Sequence, residues 1–331
     1  MENKKGFDFK KFATGNGIIW LVLILLVIFM EIGTGAKFLT ASNMETLLKN
    51  ESIKGILAFG VMMCILSKGI DLTPGAVVAL VSVVCASLAQ KSDASSRLLG
   101  AGNPLPTFVI VVIGLAIGVL IGFLIGATIA YTKIPPFIAT LGSQLICRAI
   151  AKMYSNKPVS SLTESFRFLG DGKVGVIPMI VIVFVIMFLI SYFILNKTRF
   201  GKNVYAIGGN DNAARVSGIN VEKNLIMVYV WCSLCAALGG ILVAGRTGSS
   251  DPSTYGLNYE LDAIAAATVG GTSHTGGVCN VPGVLCGILI LGVVNNGLVL
   301  LGVNDNMTNI IKGLIIVGSV VIDMRKNRQK V

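Results

Sequence analysis

The sequence predicts an all-α polytopic membrane protein of about ten transmembrane helices, some short or broken, and three observations carry that expectation. The chain of 331 residues is 54% hydrophobic and only 13% charged, with a mean hydropathy of +0.80. Soluble domains carry about a quarter charged residues, so there is too little polar material here to cover a water-facing surface. Residues 108–131 hold no charge; at about 1.5 Å per residue they reach roughly 36 Å, enough for a hydrocarbon core of about 30 Å. Runs at 174–195, 225–245 and 281–302 are comparable, and a water-soluble fold has no use for four of them. Finally, the net charge of +11 collects at segment ends: Lys4, Lys5, Lys10 and Lys11 before the first apolar run, Arg325, Lys326, Arg328 and Lys330 after the last. That is the positive-inside pattern. It puts both termini in the cytoplasm and makes anionic lipid, rather than nucleic acid, the partner of the charge.

In chain order, 1–16 reads as a cytoplasmic N-terminus and 17–32 as an uncleaved first span, because no small-x-small cleavage site follows it. Further spans are expected at 52–67, 73–90, 108–131, 136–154, 176–195, 224–244, 259–271, 281–301 and 307–322, with a cytoplasmic tail at 324–331. Together they form one membrane domain, 1–331. An even count agrees with both termini inside and leaves 196–223 inside too, where Lys197, Arg199, Lys202, Arg215 and Lys223 form the densest internal basic cluster. Gly114, Gly118, Gly122 and Gly126 line one face of the longest span, so a neighbouring backbone is expected to approach closely there. Two apolar regions are interrupted, at Ser67-Lys68-Gly69-Ile70-Asp71-Leu72-Thr73-Pro74-Gly75 and at Gly270-Gly271-Thr272-Ser273-His274-Thr275-Gly276-Gly277. Paired interruptions of this kind point to broken helices lining a pathway and to an ancient duplication whose sense, direct or inverted, stays open.

Covalent chemistry finds no motif. Gly170-Asp171-Gly172-Lys173 lacks the spacing and the Ser/Thr of a phosphate loop, and a single histidine, His274, excludes centres built on several. Most of the seven cysteines sit inside apolar runs, and Cys232 and Cys235 lie at helical spacing within a span, so they read as small packing residues. The triplets beginning at Asn50, Asn196 and Asn306 match the glycosylation acceptor pattern, which is short enough to arise by chance. What remains is polar chemistry suited to a path for a hydroxyl-rich solute. Asn295 and Asn296 fall mid-span, where an unpaired amide costs several kcal/mol, so they either bond between helices or line a wet cavity. Asp71, Lys68, Glu260, Asp262 and Lys312 are ionisable groups at membrane depth, functional by default; the plainer alternative pairs Asp71 with Lys68 across the break.

The segment 197–219 is the most informative. Ala213-Ala214-x-x-x-Gly218 matches the core of the signature of ABC importer permeases, with Asn212 where the general pattern has a glutamate. Pro136-Phe137-Ile138-Ala139-Thr140-Leu141-Gly142, the 67–75 element, and Tyr259-Glu260-Leu261-Asp262-Ala263-Ile264-Ala265-Ala266 followed by Gly270-Gly271 extend the match along almost the whole chain. In these motifs the chain resembles the ribose/galactose (monosaccharide) permeases of ABC importers, nearest the galactose/methyl-galactoside branch. The resemblance implies a non-enzymatic transport subunit of a bacterial inner membrane, without a cofactor of its own. Its expected partners are an ATP-binding cassette subunit, an extracytoplasmic sugar-binding protein and a second permease copy. It also implies that the cytoplasmic loop 196–223 carries a coupling helix, with Arg199, Phe200, Gly201, Asn210, Ala213, Ala214, Arg215, Ser217 and Gly218 contacting the ATP-binding subunit. Asp71, Phe137, Thr140, Thr272, Ser273, Asn295 and Asn296 are the candidates for the translocation pathway. A permease for ribose, xylose or another small solute is the near alternative. An ion-coupled transporter leaning on Asp71 or Asp262, or an intramembrane enzyme built on Ser273 and His274, would be a different class of protein.

Overall fold

The computed structural model describes residues 17–94, 97–100 and 102–328. The expected N-terminal segment 1–16 with its four lysines, and the last three residues of the expected tail, lie outside the described residues. Thirteen α-helices and four two-residue strands make up the described chain. The helices are α1 (Gly17–Gly33), α2 (Ala41–Leu66), α3 (Pro74–Ala89), α4 (Thr107–Thr132), α5 (Pro136–Tyr154), α6 (Glu164–Asp171), α7 (Met179–Lys197), α8 (Arg199–Gly209), α9 (Asp211–Val216), α10 (Val221–Thr247), α11 (Tyr259–Val269), α12 (Val281–Leu300) and α13 (Asp305–Arg328). Four of them, α4, α7, α10 and α12, are long and apolar enough to cross a bilayer by length and composition. The architecture is that of an all-α polytopic membrane protein.

The packing is that of a bundle built for lipid. α3, residues 51–66 of α2 and residues 228–245 of α10 are buried on nearly all sides, and residues 55–66 of α2 are inaccessible throughout. α1, α4, α5 and α7 turn Phe29, Ile32, Phe108, Leu120, Leu145 and Phe193 outward instead; contiguous apolar exposure on this scale suits a lipid-facing surface. The glycine face of α4 meets α10 as expected. A Cβ added at Gly122 or Gly126 would fall 2.7 Å from the Cα of Val230 or Ile226, so only hydrogen fits between the two backbones.

The expected span at 52–67 is corrected most: its helix begins at Ala41, because Asn43, Glu45, Lys49 and Asn50 form a polar first half that masks the helix in a hydropathy reading. The span at 307–322 extends to Asp305–Arg328, while 259–271 proves to be a short helix of 11 residues. Near the C-terminal end of α10, β1 (Val159–Ser160) pairs antiparallel with β4 (Ser249–Ser250), and β2 (Lys173–Val174) pairs with β3 (Ile177–Pro178). Gly170 of α6 rests against the backbone of Leu242 and Arg246 at the same end.

Candidate functional site

Three hydrogen-bonded caps build the segment 196–223. Thr198 accepts from the Gly201 N–H at 3.2 Å and starts α8; Asn210 accepts from the Ala213 N–H at 3.0 Å and starts α9; Asn220 accepts from the Lys223 N–H at 2.8 Å and starts α10. Each satisfies a backbone donor that a helix start leaves free. Gly218 ends α9 at φ 82°, where its N–H donates to the Arg215 carbonyl and that of Ile219 to Ala214, a left-handed closure that favours glycine. Ala214 is the buried residue of α9, set against Ile207 and Val221, so the spacing Ala214-x-x-x-Gly218 encodes one packed turn and its stop. Ala213, Arg215, Val216 and Ser217 face outward, Val216 at 91% exposure. Arg215 donates to Glu222 at 2.6 Å and ties α9 to the first turn of α10. Gly201 lies under the carbonyls of Ile194 and Leu195, where a Cβ has no room, Phe200 is half-buried against the core, and Arg199 is exposed.

From this segment α8 runs inward and ends between the two interruptions. Gly208 is pressed against the Leu66 carbonyl and the Gly277 N–H, and that N–H donates to the same Leu66 carbonyl at 2.9 Å. Lys68 Nζ donates to the Gly209 carbonyl at 3.2 Å, and Tyr205 Oη to the Cys279 carbonyl at 2.9 Å. The two breaks and the end of α8 therefore form one junction. Lys68 does not pair with Asp71, since its ammonium is drawn to Gly209. Asp71 is fully buried and accepts from the N–H and hydroxyl of Thr73 at 2.9 and 2.6 Å, shaping the entry to α3. Thr140 of α5 donates to the Ile70 carbonyl at 3.0 Å. Thr272 and Ser273 are buried in the second break, with the Thr272 hydroxyl 3.3 Å from Cys279 Sγ and the Ser273 hydroxyl 2.9 Å from that of Thr275. His274 Nε2 sits 2.8 Å from the Thr268 hydroxyl. Phe137 is half exposed on the outer side of α5. Cys64, Asp71 and Cys232 bring ligand-type atoms within 4.8 Å of one another, fully buried.

Toward the other end, between α2, α10, α11, α12 and α13, lies a cavity of about 570 Å³. Asn295 and Asn296 both line it, along with Asn50, Arg246, Tyr259 and Lys312. Asn296 also exchanges hydrogen bonds with Asn43 at 2.8 and 2.9 Å and so joins α12 to α2. Asp71, Phe137, Thr140, Thr272 and Ser273 do not line it. The floor is ionic: Asp262 takes Lys54 at 2.9 Å and Lys312 at 3.4 Å, and Lys54 also lies 3.7 Å from Glu51. A charged network facing a polar cavity inside a helix bundle is where water or a hydroxylated solute can be held.

Sequence reasoning passed over Arg148, whose guanidinium donates to the carbonyls of Tyr255 (2.6 Å), Pro252 (3.2 Å) and Gly75 (3.2 Å). It clamps the loop leading into α11 onto the start of α3. It also passed over Val216, and over Glu51 and Lys54, a pair at helical i, i+3 spacing just where the apolar run begins.

Residues 43–320 match the family described as the branched-chain amino acid transport system / permease component. The galactose/methyl galactoside import permease protein MglC of Haemophilus influenzae is 39% identical over 338 residues, covering 100% of this chain and 99% of that one. MglC of Escherichia coli is 39% identical over 99% of this chain and 98% of its own. The ribose import permease protein RbsC of Escherichia coli is 39% identical over 92% of this chain and 93% of its own. No solved structure matches the chain. An all-α bundle with lipid-facing apolar sides, a capped helix pair wedged into two helix breaks, and end-to-end likeness to import permeases place this chain in the transport-system permease family, as a multi-pass protein of the inner membrane.

Proposed function

We propose that the chain is the membrane subunit of an ATP-driven importer for a monosaccharide of the galactose/methyl galactoside type. The identities with the galactose and ribose permeases are equal, but the galactose relatives match over more of both chains, which favours that branch. Ten helices, α1 to α5, α7 and α10 to α13, each cross or enter the membrane, and the connections then leave both termini and the α8–α9 segment on the cytoplasmic side. Within the single membrane domain, α9 is the coupling helix, and its outward residues Ala213, Arg215, Val216 and Ser217 form the docking face for an ATP-binding subunit. A separate sugar-binding protein delivers solute to the opposite face, and a second copy completes the pore.

The observation that carries this reading is the wedging of Gly208 between Leu66 and Gly277. ATP-driven closure of the partner subunits pulls on α9; Asn210 joins α9 to α8, and the end of α8 displaces both helix breaks at once. Hydrolysis stays with the partner, so this chain needs no cofactor. The test is co-purification followed by vanadate-sensitive ATPase assay of the complex. Val216→Asp, which alters an outward side chain and leaves the packing of Ala214 intact, is expected to lose the ATP-binding subunit while the chain still inserts. Sugar uptake by the purified chain alone, driven by an ion gradient, would instead make it a secondary transporter.

A further inference from the structure

We infer that the groove between α4 and α10 holds one anionic phospholipid, its acyl chains along the helices and its phosphate at the end nearest α9. The glycine face of α4 draws the two helix axes together, so the rows flanking the seam splay apart and leave a trough of about 980 Å³. Its walls are Leu120 and Phe123 on one side and Ile226, Met227 and Val230 on the other. Leu120, Phe123 and Met227 are 59%, 50% and 46% exposed, a surface only hydrocarbon covers at low cost.

The chemistry changes at one end. Tyr131, Asn220, Glu222 and Lys223 line the mouth, and Lys133 follows α4 directly, two residues beyond Tyr131. Glu222 is already taken by Arg215 at 2.6 Å, and no ion pair among the described residues engages Lys133 or Lys223. An acyl-lined trough thus ends on an aromatic interface residue and the Lys223 ammonium, with the Lys133 ammonium just past the end of α4. Basic pockets between transmembrane helices are where anionic headgroups bind, because a phosphate supplies the missing counter-charge while the chains fill the trough. The site also touches the Arg215–Glu222 contact, so its occupancy bears on how firmly α9 is held. Only the leaflet that supplies the lipid rests on reading the α8–α9 end as cytoplasmic.

The test is native mass spectrometry of the detergent-purified complex titrated with dioleoylphosphatidylglycerol or dioleoylphosphatidylcholine, with sugar-stimulated ATPase read separately. The wild type is expected to retain the glycerol lipid over the choline lipid. Lys133→Gln and Lys223→Gln should each weaken that retention about fivefold, the equivalent of one lost charge near a phosphate. Met227→Trp, which fills the trough and leaves the rim intact, should remove both lipids. Equal retention of the two lipids, or unchanged retention in the double lysine variant, overturns the inference. So does disulfide trapping between two copies through Leu120→Cys, which would make the trough a subunit interface. ATPase lost with lipid binding intact would count against the transport reading alone.

Discussion

Between α2 and α3 the chain leaves the helix through Lys68, a lysine held at φ 63°, whereas between α11 and α12 it turns through Gly271, Gly276 and Gly277 at φ 91°, 81° and 73°. Left-handed backbone costs an L-residue about 1–2 kcal/mol and glycine almost nothing. A lysine is therefore retained in the first break for what its side chain reaches, the Gly209 carbonyl at the end of α8. The first break is also fixed internally, by Asp71 on Thr73, and externally, by Thr140 on Ile70. The second break carries side-chain bonds of its own, Thr272 with Cys279, Ser273 with Thr275 and His274 with Thr268, beside backbone bonds from Ser273 N–H to Val278 and from Gly276 N–H to Ser273. Both breaks are held by side chains, so the difference lies in the turn: the first places a lysine in left-handed backbone, and the second gives those positions to glycine.

This contrast can be broken at the junction the two share. Gly208→Val would push side-chain carbon into the Leu66 carbonyl and the Gly277 N–H, jamming both breaks together. It should cost about 1–3 kcal/mol of stability and abolish uptake, measured by thermal unfolding in detergent and by radiolabelled sugar accumulation. Next in size, Asp71→Ala strips both hydrogen bonds from the Thr73 turn and should cost about 1–3 kcal/mol. Asp71→Asn keeps an accepting oxygen and should recover most of that loss in the same melt. Lys68→Gly separates strain from contact: relief of the left-handed lysine should raise stability by up to about 1 kcal/mol, while loss of the bond to Gly209 lowers the uptake rate. A variant that gains in both would show that the lysine is mere strain. The smallest effect is expected from Thr140→Val, about 0.5–1.5 kcal/mol for one hydrogen bond, with uptake changed less than by Lys68→Gly.

Much of this architecture was legible in the residues. Apolar runs located the helices wherever lipid or the core surrounds them, and the glycines of α4 foretold a close seam because their spacing matches the helical repeat. α2 escaped in its first half because it is amphipathic there, and its buried Glu51 and part-buried Lys54 gain their meaning from Asp262, far away in the chain. The signature around Ala214 and Gly218 was legible because it is local, a buried turn and its glycine stop. The junction of Gly208 with both breaks, and the three carbonyls held by Arg148, are not local. They arise from contacts between segments 70 to 140 residues apart, which no spacing along the chain encodes.

The seam between α4 and α10 has a mechanical consequence. α10 has 27 residues and is therefore about 40 Å long. One end carries Asn220 and Glu222 beside α9, the other Arg246 at the rim of the polar cavity, and backbone contacts with α4 brace its shaft. A rod so braced does not buckle. If α9 is the docking helix proposed above, a displacement of an ångström delivered there would arrive at Arg246 nearly undiminished, and α10 would work as a push-rod between the partner subunit and the cavity.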